Sequence, residues 1–218
     1  MSLAQINKRL LIILLLIIIA SAFYIFHTKN SEVYPETCLG NINNNSINAE
    51  VYPGDSIQNA INNVSFGGTV IVHQGLYKEN LIVGKPLKVI RSNEGEAAYA
   101  AIQAADPEKD VFHITADNVT IIGFNITGSQ DKAGIYCSGS GGNITGNKLS
   151  YNNYGVYLND SSRNILENNE VNNNSLGIYL EDSDNNKLMN NTISKLWDGV
   201  NFTESSNNEL NNNSILHN

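Results

Sequence analysis

In the second half of this chain the apolar residues come as pairs two positions apart, and the pairs recur every 22 residues. Gly155, Gly177 and Gly199 open three units, each followed by a β-branched residue: Val156, Ile178 and Val200. Two residues on stand Leu158, Leu180 and Phe202, and eight further on Leu166, Leu188 and Leu210. Asn169, Asn191 and Asn213 come next, then Val171, Ile193 and Ile215. One unit upstream, Gly134, Ile135, Cys137, Ile144, Asn147 and Leu149 take the same places, with a slip of one residue. Phe112, Ile114, Ile121 and Ile126 align with that unit at an offset of 23, and Gly123 then matches Gly146. A fixed period of this length, with slips confined to polar stretches, is the signature of a solenoid.

Pairs at i and i+2 put two side chains on one face, which is the period of a strand and not of a helix. A leucine-rich repeat of similar length would carry a longer apolar run with a helical segment, and none is present. Each unit therefore predicts about three short strands and three turns. One coil cannot bury its own interior, so coils stack about 4.8 Å apart and pair each strand above and below. The predicted fold is all-β: a right-handed, single-stranded parallel β-helix whose inward positions form ladders of like residues.

The polar columns follow from that register. Asn147, Asn169, Asn191 and Asn213 suit sharp turns, because Asn tolerates a left-handed backbone, and stacked amides can hydrogen-bond along the column. Ser161, Ser183 and Ser205 form a second column, read as structural in the same way. Tyr136, Tyr157 and Tyr179 point outward on one sheet, flanked by Asn159 and Glu181. Aromatic strips are platforms for sugar rings, and the competing reading is cross-strand stacking that stabilises the sheet. Asp160, Asp182 and Glu204 make an acidic column that a calcium ion could bridge, against the plainer reading of solvated turn charges.

Upstream of the repeats, Asp55-Ser-Ile-Gln58 reads as a capping-box start, with Asp55 as acceptor and Gln58 three residues on. Ile57, Ala60, Ile61 and Val64 then follow helical spacing up to Gly67-Gly68. This short helix is expected to cover the open end of the first coil. Strands are expected at Thr69–Val72, Leu81–Val83 and Leu87–Ile90. At the extreme N-terminus, Lys8-Arg9 precede an apolar run from Leu10 to Ile19, then Ala20-Ser21-Ala22 and Phe23 to Phe26. The segment reads as a signal peptide or a signal anchor, and the charge before it predicts that the rest lies outside the cytoplasm. The predicted organisation is residues 1–27 signal or transmembrane anchor, 28–50 polar linker, and 51–218 β-helix domain, regular from about 110.

Composition narrows the partners. The net charge is −8 with no basic cluster in the repeats, which argues against nucleic acid. Of two cysteines, Cys38 falls in the linker and Cys137 on an inward position, where it reads as a small buried hydrophobe. Ten N-x-[ST] sequons occur, many of them expected by chance in so Asn-rich a chain. The chain stops about one residue short of closing its last coil, with no capping helix. This predicts a protein partner at the uncapped C-terminal coil, or that the chain is part of a longer array.

The stretch from Gly54 through Ile90, with Gly75-x-Tyr77-x-Glu79-Asn80 and Lys85-Pro86-Leu87, resembles the opening of NosD-like proteins. These belong to the carbohydrate-binding and sugar-hydrolase family of pectin-lyase-like β-helices. The resemblance covers roughly Val51 to Asn218 and implies the fold; its members include lyases, hydrolases, epimerases and binding modules. The lyase pattern of a basic residue with calcium-binding carboxylates is not matched, since Arg163 is the only arginine in the regular repeats. The aspartate clusters of the hydrolases and the Asp-Pro-His motif of the epimerases are also missing, so no catalytic residue is assigned. The copper role that the NosD name implies needs clustered soft ligands, whereas His27, His73, His113 and His217 are scattered and Met189 is the only internal Met. The expected protein is an exported, membrane-anchored cell-surface β-helix that binds polysaccharide or surface glycan, or builds a surface layer, without a cofactor. Its alternatives are an enzyme acting on an extracellular polysaccharide and an accessory protein for copper-centre assembly.

Overall fold

The computed structural model describes residues 47–93 and 99–216. Every strand pair in it is parallel, and the chain winds as a right-handed-type β-solenoid of about seven turns. Three sheets run along the axis. Sheet I has eight strands, from Asn48–Val51 to Glu209–Asn211; sheet II has seven, from Gly75–Lys78 to Ser214–Leu216; sheet III has six, from Leu81–Val83 to Asp198–Thr203. The predicted signal or anchor segment, most of the linker and Cys38 lie outside the described residues. Among the described residues no helix is long and apolar enough to cross a membrane. The segment read as linker reaches into the first strand, since Asn48–Val51 already pairs with Thr69–Val72. One buried residue, Val51, is too little alternation to reveal that strand in the sequence. The strand Gly75–Lys78 was also not foreseen, because it buries only Tyr77.

The interior is built from the predicted ladders. Ile121, Ile144, Leu166, Leu188 and Leu210 are in register in sheet I, and Ile126, Leu149, Val171, Ile193 and Ile215 in sheet II. In sheet III the column is Ile114, Cys137, Leu158, Leu180 and Phe202. Cys137 is a free, buried thiol, and desolvation raises its pKa. Inward residues of the last described coil, such as Leu210 and Ile215, are exposed.

The opening glycines are explained by space. A Cβ on Gly155 would stand 2.7 Å from the Gly177 carbonyl oxygen, and one on Gly177 would stand 2.2 Å from the Gly199 carbonyl oxygen. Adjacent coils approach so closely there that any side chain collides with the next turn.

The corners depart from the expectation in one respect. Left-handed backbone falls on the residue before each ladder asparagine: Asn168 (φ 54°), Asn190 (φ 54°) and Asn212 (φ 53°). Each corner is thus a pair, a left-handed residue turned outward followed by a ladder residue turned inward. The same pairing recurs at Asn173–Asn174 and Asn185–Asn186, and Asp160, Asp182 and Glu204 are the left-handed residues before the serine column. A single Asn column in the sequence conflates two jobs that the chain divides between neighbours.

The ladder residue takes up the buried polar groups of the turn. The backbone N–H of Asn169 donates to Asn191 Oδ1 at 3.0 Å, and its Nδ2 donates to the same oxygen at 3.0 Å. The remaining Nδ2 hydrogen goes to the Ile144 carbonyl at 2.8 Å. Asn169 Oδ1 in turn accepts from the Asn147 backbone N–H and Nδ2 at 3.0 and 3.2 Å. Two further ladders, Asn152–Asn174 and Asn164–Asn186–Asn208, repeat the scheme. Ser161 and Ser183 donate their backbone N–H to the next serine hydroxyl at 3.1 and 2.9 Å.

The predicted helix forms at Ile57–Asn63, with Ile57 and Ile61 buried against the first coil. Its N-cap is Ser56 and not Asp55, and Gln58 does not complete a capping box. The Glu79 carboxylate takes the Ile57 and Gln58 backbone N–H groups at 2.8 and 3.1 Å, which frees the Gln58 amide for another task. That amide accepts from Ile82 N–H at 2.7 Å and donates to Ile82 C=O at 3.1 Å, covering the edge strand of sheet III. Lys85 Nζ caps the helix carbonyls of Asn62 and Val64. Tyr77 donates its hydroxyl to the His73 carbonyl at 2.9 Å, and Asn80 binds the backbone at Asp106 and Asp110. The residues of the Gly75-to-Asn80 motif therefore staple the cap to the coil.

Leu188 is fully buried between Leu166 and Leu210, so Leu188→Ala should cost about 2–5 kcal/mol, and Tyr179→Ser on the outer face less. Asn169→Ala leaves the Asn147 N–H and one of its amide hydrogens without an acceptor and should cost at least about 2 kcal/mol. Urea unfolding checks both; a loss for Tyr179→Ser above that for Leu188→Ala would refute the register.

Candidate functional site

The outer face of sheet III carries the aromatic column. Strand register places His113, Tyr136, Tyr157, Tyr179 and Asn201 side by side in successive coils. Tyr136 and Tyr157 meet edge to face at 5.4 Å between centroids, and Tyr157 and Tyr179 at 5.0 Å with a 46° tilt. The sequence singled out these three tyrosines, and the structure brings them together. It also adds two rings. His113 stacks on Tyr136 at 4.8 Å and 9°. Tyr154, at the start of the same strand as Tyr157, stacks on Tyr157 at 5.1 Å and on Tyr179 at 5.7 Å. Period-2 reasoning could not find Tyr154, because its offset of three from Tyr157 assigns it to the opposite face; the buried Gly155–Val156 pair breaks that alternation.

The hydroxyls are spent on one another's neighbours. Tyr157 donates to the Glu181 carboxylate, and Asn159 Nδ2 donates to Glu181 at 3.0 Å and to the Tyr157 hydroxyl at 3.3 Å. Tyr136 donates to Asn159 Oδ1 at 3.3 Å and Tyr179 to the Thr203 hydroxyl at 3.0 Å. Asn159 and Glu181 thus lock the rings. Desolvation, joined by the Glu181 carboxylate, holds the Tyr157 phenol well above its usual range. Burial and then the charge of Asp110 raise Tyr136.

The open space lies upstream of the strip. A groove of about 400 Å³ is lined by Asp110, His113, Asp131, Lys132, Ala133, Tyr136, Asn153, Tyr154 and Tyr157. A second hollow of about 590 Å³ shares Asp110, His113 and Lys132 with it and extends to Asn80 and Ile82. At their junction Asp110 Oδ2 accepts from His113 Nδ1 at 2.9 Å, and Asp110 Oδ1 accepts the Ala133 N–H at 2.8 Å. The bond from the Ala133 backbone N–H fixes the carboxylate, which orients the imidazole through Nδ1 and leaves Nε2 for chemistry or recognition. The sequence contained no sign of this pair, since His113 reads as one histidine of four and Asp110 precedes the regular repeats.

The acidic column Asp160, Asp182 and Glu204 occupies left-handed corners at φ 48°. Among the described residues no group of three His, Cys, Asp or Glu side chains is placed to hold a metal ion. His73 is paired with Glu50 at 2.6 Å and stacked on Tyr52, His113 is paired with Asp110, and the Cys137 thiol is buried. The described residues therefore do not fit a soft-ligand copper centre.

A family model described as periplasmic copper-binding protein (NosD) matches residues 61–218. The chain is 39% identical over 98 residues to a cell surface glycoprotein of Methanothermus fervidus, a match covering 44% of this chain and 15% of that protein. The chain thus spans only a small part of the length of this curated relative. Among solved structures it is similar to the pectate lyase Pel9A, with 14% identity, a TM-score of 0.48, and 68% of this chain and 54% of that one covered. An alginate lyase from Paenibacillus sp. gives 17% identity and a TM-score of 0.40 over 68% and 44%. Likeness at this level says nothing about what this chain acts on.

The locked tyrosines have a measurable consequence. Tyr157 holds its proton more tightly folded than unfolded, where it titrates near 10. Its contribution is present below about pH 10 and is lost as pH rises through the folded value. Stability should fall on alkaline titration, and Tyr157→Phe should flatten that fall. An unchanged slope in Tyr157→Phe, followed by circular dichroism, would show that the ring network does not hold the proton.

Proposed function

The chain belongs to the NosD family, and from that premise we propose that it is an extracytoplasmic cell-surface β-helix protein that binds glycan along sheet III. The observation that carries the reading is the groove over Asp110, His113, Tyr136, Tyr154 and Tyr157. It joins an aromatic floor to a polar rim of Asp131, Lys132 and Asn153, the pairing that suits the apolar faces and hydroxyls of sugar rings. The contact centre is the upstream half of the aromatic strip, because the groove opens there beside His113, Tyr136 and Tyr154. The similarity to a cell surface glycoprotein, the family's periplasmic description and the predicted export signal support the location. Anchoring by residues 1–27 belongs to the same proposal.

A second reading rests on the Asp110–His113 pair. An imidazole oriented by a carboxylate beside a groove is a constellation for general acid–base chemistry on a bound polysaccharide.

Array screening of the full chain against extracellular polysaccharides tests the first reading. Tyr154→Ser should weaken binding about tenfold, about 1.4 kcal/mol, with the β-sheet dichroism intact. A folded variant that binds unchanged overturns the site. For the second reading, the wild-type chain should shorten a bound polymer and His113→Gln should not; no shortening by the wild type leaves binding alone.

A further inference from the structure

The corners of this solenoid sort its asparagines into two classes that the sequence does not distinguish. Nine of the ten N-x-[ST] sequons fall among the described residues. None of the seven buried ladder asparagines begins one. The register explains why. In the columns that lead into sheets I and II the second residue after a ladder asparagine is a core position, as Leu188 is after Asn186 and Ile193 after Asn191, and a hydroxyl cannot occupy it; after Asn152 and Asn174 it is Tyr154 and Leu176. The second residue after the left-handed corner asparagine is the first outward residue of the strand, as Thr192 is after Asn190. Every sequon asparagine among the described residues accordingly lies outside the buried ladders.

Within the outward class the structure separates engaged amides from open ones. Asn143 is bonded to the hydroxyl of its own sequon residue Thr145, and Asn159 is held by Tyr157 and Glu181. Asn125 Oδ1 is buried. Asn118, Asn190 and Asn212 are instead exposed residues at the apex of left-handed corners, with φ of 56°, 54° and 53°. An apex of this kind presents the amide away from the sheet, and its backbone is already turned.

We propose that Asn118, Asn190 and Asn212 are acceptors for N-linked glycan, and that Asn125, Asn143 and Asn159 are not. The co-reactant is an oligosaccharide on a lipid diphosphate, delivered by a membrane transferase on the outer side of the membrane. A bond forms between the asparagine Nδ2 and the anomeric carbon, the sugar–phosphate bond breaks, the lipid diphosphate leaves, and the amide proton passes to solvent. Asn190 and Asn212 stand one coil apart in the same column, about 4.8 Å, so a glycan on one crowds the other and one of the two carries it in a given molecule. Asn118 opens a different corner and is modified independently.

The test incubates the folded full chain with a purified oligosaccharyltransferase and its lipid-linked donor, then maps added mass by peptide mass spectrometry. A synthetic peptide spanning Asn190-Asn191-Thr192 serves as the unfolded comparison. Added mass is expected on peptides holding Asn118 and either Asn190 or Asn212, and not on those holding Asn125, Asn143 or Asn159. Thr192→Val should abolish modification of Asn190 and raise that of Asn212, whereas Thr192→Ser should leave Asn190 modified. Thr192 is exposed, so neither change disturbs the core. Modification spread equally over corner and engaged asparagines overturns the proposal. So does transfer to the peptide without transfer to the corners of the folded chain, and so does transfer to neither.

Discussion

A chain that turns a corner three times in every coil buries backbone N–H and C=O groups at each one, and water cannot reach them. In this protein one side-chain amide per corner meets that demand. Asn169 donates through its backbone and its amide to the coil below it in sequence, accepts from the coil before, and returns a hydrogen to the Ile144 carbonyl. No donor or acceptor of the amide is left over. Leaving such groups unpaired costs about 1–3 kcal/mol each, so the apolar ladders can stack only because the amides stack with them. The tight glycine column and the parallel register then follow, since both require the coils to sit at one fixed separation.

The solenoid was legible in the chain because its period repeats in kinds of residue that have single explanations. Ile and Leu pairs at i and i+2 mark strands, and the ladders at Leu166, Leu188 and Leu210 fell where the pattern put them. The corners were legible to within one residue. Asn168 and Asn169 are the same amino acid, so the sequence cannot say which turns and which stacks; backbone geometry decides it. The candidate site was read less completely. Tyr136, Tyr157 and Tyr179 stood in one column and were found. Tyr154 and the Asp110–His113 pair stand where the alternation breaks or before the repeats begin, and only folding brings them to the groove.

The motif with the sharpest likeness to other proteins turned out to serve architecture. Tyr77, Glu79, Asn80 and Lys85 bind backbone groups of the cap helix and of neighbouring coils. Glu79 completes the helix start that Asp55 and Gln58 were expected to make, and Gln58 turns to the exposed edge at Ile82. A sheet edge is the weak point of any solenoid, and here a single side-chain amide imitates the strand that would otherwise pair with it. The proposed site lies apart from this motif, on the outer face of sheet III, where the rings vary from coil to coil.

In the regular region every link of the asparagine ladders runs the same way, with its acceptor oxygen on the later coil. The molecule is in this sense written in a frame of 22 letters. Adding or removing a whole frame leaves each column meeting its own kind, and no hydrogen bond changes type. Adding or removing part of a frame outside the polar turns that absorb one-residue slips sets amides against leucines in several columns at once. Length in such a protein is therefore quantised, and a surface built from it can grow taller by duplication while its cross-section stays the same.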